Sequence, residues 1–107
     1  MILNSKEELL QIIKAGILGR RLLELTYEGD QLRRVEPYVL YEDSGGELFV
    51  AVFQLWGHSR SGETSGWKAL KLPRITTIRL LEETFTLRGD FNAVDRSNYH
   101  RVILGVL

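Results

Sequence analysis

The chain has 107 residues, the size of one domain, and 44% of them are apolar, enough to bury a core and to argue against disorder. Lysine plus arginine and aspartate plus glutamate each number 14, so the overall field is neutral and speaks neither for nor against nucleic acid. Cysteine is absent, which excludes a disulfide scaffold, a thiolate metal site and a cysteine nucleophile.

Ser5-Lys6-Glu7-Glu8 fits a capping box, in which Ser and Glu reciprocally satisfy the first free amides of a helix. Leu9, Ile12, Ile13 and Ile17 then recur at helical spacing, with Glu7, Gln11 and Lys14 on the opposite face and Gly19 as a stop. The polar face mixes both signs of charge, so the helix reads as a cap on a core rather than one that lies on a membrane. No stretch has the length and flanks of a signal peptide or the ~20 apolar residues of a membrane span, and the expectation is a cytoplasmic protein of bacterial type.

From Arg21 the pattern changes to strands. Leu23, Leu25 and Tyr27 alternate with Glu24 and Thr26, and Glu28-Gly29-Asp30 makes a turn. Leu32 to Tyr41 is a second strand, in which Pro37 lacks a ladder amide and so calls for an edge, a bulge or a strong bend. Asp43-Ser44-Gly45-Gly46 is a hairpin turn. Glu47 to Trp56 is apolar on both faces after Glu47, as a central strand would be. Residues 57–66 are rich in glycine and serine and read as a mobile surface loop. Trp67 to Leu72, broken near Pro73, and Ile75 to Leu81 complete the set. Five short, bent antiparallel strands behind one helix are too few for a sandwich and suit a small closed barrel.

Residues 1–85 therefore read as a barrel with its N-terminal helix, and residues 86–107 as a C-terminal extension. The apolar end from Arg101 to Leu107 fits a strand or part of a helix. Exposed, it would invite aggregation, so it must dock on the barrel or on another subunit.

Charge is segregated along the chain. From His58 to Arg79 stand Arg60, Lys68, Lys71, Arg74 and Arg79 against a single acid, Glu63, while acids gather in turns such as Glu42-Asp43 and Glu82-Glu83. No nucleophile elbow, no phosphate-cradling loop leading into a helix and no metal-ligand spacing accompanies them, so the expectation is not an enzyme, with no cofactor and no metal.

The segment Arg34-Val35-Glu36-Pro37-Tyr38-Val39-Leu40, together with Lys68 to Ile75, resembles a WYL domain. Tyr27 ends the first strand, as in that family, and Val50-Ala51 falls where the family has its x-Ala. The name-giving triplet is replaced by Glu47-Leu48-Phe49, two customary arginines are lysines, and Pro73 stands in place of the usual aspartate. Lysine keeps the charge but lacks the planar fork of arginine.

The resemblance implies an Sm-like, SH3-type β-barrel. It also implies a ligand-sensing role in transcription regulation or beside CRISPR–Cas systems, with single-stranded nucleic acid or a nucleotide as the ligand and a regulator or CRISPR–Cas component as partner. A single helix cannot make a helix-turn-helix. The chain therefore resembles such a protein reduced to its sensor.

Arg33 and Arg34 are adjacent and point to opposite faces of a strand. Arg34 shares parity with Glu36 and Tyr38, so it either faces a ligand, as the family position implies, or pairs with Glu36. Tyr38 offers a ring for a base and a hydroxyl for a phosphate, or else packs beside Pro37. Lys68, Lys71 and Arg74 differ in parity and align only if Pro73 bends the strand. His58 and Arg60 could add donors from the loop. Trp56 and Trp67 serve as a second platform or as core clasps. The alternative function is a protein–protein adaptor or a homo-oligomeric scaffold that associates through its apolar tail.

Overall fold

The computed structural model describes residues 4–29, 31–57, 65–93 and 96–106. Helix α1 (Lys6–Gly19) begins with the expected box: the Ser5 hydroxyl accepts from the Glu8 amide, and the Glu8 carboxylate accepts from the Ser5 amide. It ends at Gly19, with Arg20 in the left-handed region at φ 50°. Leu9, Ile13 and Ile17 are its buried face. No helix among the described residues is long and apolar enough to cross a membrane.

Five strands follow as β1 (Arg21–Tyr27), β2 (Gln31–Glu42), β3 (Leu48–Gly57), β4 (Gly66–Lys71) and β5 (Ile75–Thr84). A 3-10 turn at Leu72–Arg74 joins the last two, with Pro73 where its missing N–H costs nothing. The C-terminal segment adds β6 (Arg101–Gly105). The sheet is antiparallel and six-stranded, ordered β4-β3-β2-β1-β5, with β6 paired to β2.

This corrects the expected five-stranded closed barrel. The C-terminal end is a strand, and β4 and β5 lie at opposite ends of an open path. The sheet nonetheless curls strongly. In a flat sheet β4 and β1 would stand about 14 Å apart across three strand spacings, yet the Tyr27 hydroxyl on β1 accepts a hydrogen bond from the Lys71 amide on β4 at 3.0 Å.

Pro37 explains why β2 can serve two partners. Residues 31–35 of β2 pair with β1, and residues 39–42 pair with β6 along the same edge. The proline lies between these two stretches, and the β2–β3 register shifts between Pro37 and Val39. A bulge with no amide to satisfy lets the strand change neighbours.

Two hydrophobic clusters result. One joins α1 to one face of the sheet through residues such as Leu23, Leu25, Val35, Val52 and Leu70. The other lies behind it, where Tyr38, Val39, Tyr41 and Ala51 are covered by Phe85, Leu87, Phe91 and Tyr99 of the C-terminal segment. The segment after β5 thus folds back over the face that α1 leaves uncovered.

Candidate anion-binding site

Alternation along the strands decides which basic residues meet. Arg34, paired opposite Glu24 on β1, donates to its carboxylate at 2.8 Å and lies 3.6 Å from Glu83. Arg79 on β5 reaches the other Glu24 oxygen at 2.9 Å. The Arg34 hydrogen bond holds the Glu24 carboxyl below its ordinary value of 4.5, and Arg79 adds to this against the opposing effect of burial. Arg34 also sits 5.4 Å over the Trp56 ring. Its charge is engaged on the outer face, and the expected alternative pairing with Glu36 does not form. Arg34 turns across to Glu24 on the neighbouring strand, and the Glu36 carboxylate is taken by Arg88 instead.

Tyr38 is also not where a base could stack on it. Its side chain is 0% exposed, with its ring centroid 4.8 Å from Trp67 and 4.7 Å from Phe91. Its hydroxyl accepts from the Arg88 amide at 2.9 Å and donates to Glu36 at 3.4 Å. This corrects the stacking expectation: the aromatic C-terminal segment has taken the place expected for a ligand. Trp67 is a clasp of the second core and donates to Asp90, whereas Trp56 is exposed on the outer face, so the two tryptophans form no platform.

The remaining cations are divided. Lys71 points to the rear face, 3.7 Å from Glu47 and 5.8 Å from the Phe49 ring centroid. Lys68 pairs opposite Val52 and therefore lies on the α1 face, with Leu70 two residues on. Arg74 is exposed in the 3-10 turn, and its carbonyl accepts from the Glu28 amide where β1 ends. His58 and Arg60 lie outside the described residues.

The residue at the centre of this end of the sheet is Arg33. Its register partner on β1 is Leu25, a core residue, so Arg33 points to the α1 face and is 4% exposed. Its Nη2 donates to the Gln31 side-chain oxygen at 2.9 Å and its Nη1 to that of Gln54 at 3.3 Å. The guanidinium lies 4.6 Å over the Tyr27 ring. Its Nε–H is buried without a partner. Burial pushes the Arg33 guanidinium below its ordinary value, with Tyr27 and Glu28 opposing, yet an arginine in this range remains charged.

Room for Arg33 depends on the next strand. Gly57 faces it in the β2–β3 ladder at φ 134°, and a Cβ there would stand 2.8 Å from Arg33 Cα and 2.9 Å from its Cγ. Only glycine permits both this backbone and the close approach.

Parity separated Arg33 from Arg34 correctly, but nothing local in the sequence showed that the inward arginine would have no acid beside it among the described residues. The Glu36–Arg88 pair, at 2.9 and 3.2 Å, went unread because Arg88 stands in a stretch without periodicity.

No family model matches the chain, and no curated protein matches it. Among solved structures, Proteasome accessory factor B/C (PafBC) of Arthrobacter aurescens is similar, with a TM-score of 0.63 at 23% identity over 78% of this chain. The chain spans 13% of the length of that structure. At this identity the likeness is one of fold alone, that of a small, mainly β domain.

Proposed function

We propose that this chain is a WYL-like, non-enzymatic regulatory domain that senses a short single-stranded nucleic acid or nucleotide. The ligand binds at Arg33, with Lys68 and Arg74 as further phosphate contacts, and occupancy is passed to a partner protein in transcription control or CRISPR–Cas-related defence. The observation that carries this reading is Arg33, a buried cation held only by neutral side chains among the described residues. Taking an ion out of water costs several kcal/mol unless a counter-charge repays it, so the site favours an anion. The likeness in fold to part of PafBC supports a regulatory setting.

The test is the affinity of labelled oligonucleotides measured over a range of salt. Phosphate contacts predict that affinity falls steeply as salt rises and that neutralising Lys68 and Arg74 together weakens it. Absence of binding even at low salt overturns the reading. The scaffold alternative draws on Val102, which is 53% exposed, but the tail that was to drive association is already paired to β2 of its own chain.

A further inference from the structure

We infer that Arg33 is the subsite for one terminal phosphoryl group, and that the side-chain oxygens of Gln31 and Gln54 hold its place until the group arrives. The inference rests on the sensing reading above and specifies which part of the ligand is recognised.

The contrast with the other arginines points this way. Arg34, Arg79, Arg88 and Arg101 each have a carboxylate oxygen at 2.8 or 2.9 Å, although all four are more exposed than Arg33. Arg33 has no carboxylate within 4.0 Å among the described residues, and Glu28 acts on it only at longer range. Its two acceptors are amide oxygens, and its Nε–H, like that of Arg34, has none among the described residues, so what sets Arg33 apart is the missing carboxylate. A phosphoryl group is the complement of this fork, because two of its oxygens can take parallel N–H bonds from one guanidinium edge. The Tyr27 ring covers one face of the guanidinium and fixes its plane, leaving the edge as the binding element.

Burial also selects the position of the phosphate within a ligand. An internal phosphodiester carries a sugar on either side and cannot reach a group that is 4% exposed. A chain end, attached through one oxygen, can replace the half-buried Gln31 side chain and enter. Gln31→Glu should therefore supply from within the chain the charge that the ligand supplies from outside.

The experiment uses the whole chain in two measurements. Melting is followed in phosphate and in chloride at equal ionic strength, and affinity is compared for short oligonucleotides with a terminal phosphate and with free hydroxyl ends. Phosphate about five-fold above its dissociation constant should raise the melting temperature by about 4–8 °C. Charge-assisted bonds should make the phosphorylated oligonucleotide bind about ten-fold tighter or more. Arg33→Met should abolish both effects, and Gln31→Glu should raise the melting temperature without phosphate and erase the response to it.

Equal affinity for both oligonucleotides, or a preference that survives in Arg33→Met, overturns the subsite while leaving the sensing reading intact. Should neither oligonucleotide bind while phosphate stabilises wild type but not Arg33→Met, the subsite stands and the nucleic-acid reading falls. If Arg33→Met does not fold, a phosphate response retained in Gln31→Glu overturns the inference by itself.

Discussion

Arg88 closes on Glu36 with two hydrogen bonds, at 2.9 and 3.2 Å, while its guanidinium lies 3.6 Å from the centroid of the Phe53 ring. Glu36 belongs to β2 and Arg88 to the segment that covers the rear of the sheet, so this pair fastens the second core. Losing one partner of a buried pair typically costs ~3–5 kcal/mol. The Arg88 side chain is 37% exposed, so Arg88→Met should cost somewhat less, about 2–3 kcal/mol. Glu36→Gln combined with Arg88→Met should recover part of that loss, because no charge is then left unpaired. Denaturant melts of the single and double variants measure it; additive losses would show that the two residues are not coupled.

Tyr38→Phe separates packing from recognition. The ring stays, but the Arg88 amide loses its acceptor at 2.9 Å, which should cost about 1–3 kcal/mol. Oligonucleotide affinity should not change, since the ring is buried beneath the C-terminal segment. A loss of affinity with unchanged stability would return Tyr38 to the ligand site.

Two glycines offer a controlled comparison. Gly66 has φ 122° with no atom of the described residues within 4 Å of where a Cβ would stand, whereas Gly57 has φ 134° with the Leu32 carbonyl 2.6 Å away. Gly66→Ala should show the backbone penalty alone, of order 1–3 kcal/mol. Gly57→Ala should add a steric penalty and displace Arg33, giving the larger fall in stability and the larger fall in ligand affinity. Equal effects from both would mean that the backbones next to Arg33 do not need this close approach.

Stability should depend on pH at both extremes. Glu24 has a folded value lowered below 4.5, so its contribution is complete above about 4.5 and is lost as pH falls through the folded value. Glu24→Gln should flatten the acid limb. Burial pushes Tyr41 up to about 12 from 10.0, with Tyr99 and Asp43 adding to the shift. The unfolded phenol then ionises first, so stability is lost as pH rises from 10.0 toward 12. Tyr41→Phe should weaken that alkaline limb. Melts across the full pH range check both signs.

Much of the fold was legible because it depends on local periodicity. The capping box at Ser5 and Glu8, the alternation at Leu23, Leu25 and Tyr27, and the irregularity at Pro37 all follow from rules that act within a few residues. Long-range pairings were not legible in the same way. That β6 would add to β2 beyond Pro37, or that Arg88 would reach back 52 positions to Glu36, depends on sheet closure rather than on spacing. The candidate site was half legible. Parity placed Arg33 and Arg34 on opposite faces, but the family position favoured Arg34. Which of the two would find carboxylates was decided by Glu24 and Glu83 on strands that only folding brings together.

The most direct measurement is the arginine side-chain region of a proton–nitrogen correlation spectrum, recorded as a short end-phosphorylated oligonucleotide is added. A buried Nε–H exchanges slowly with water, so the Arg33 signal should be visible and assignable through its loss in Arg33→Met. The account predicts that this signal moves on titration while those of Arg34 and Arg79, held by Glu24, stay in place. An Arg33 signal that does not shift at saturating ligand, with movement confined to the outer-face arginines, would contradict it.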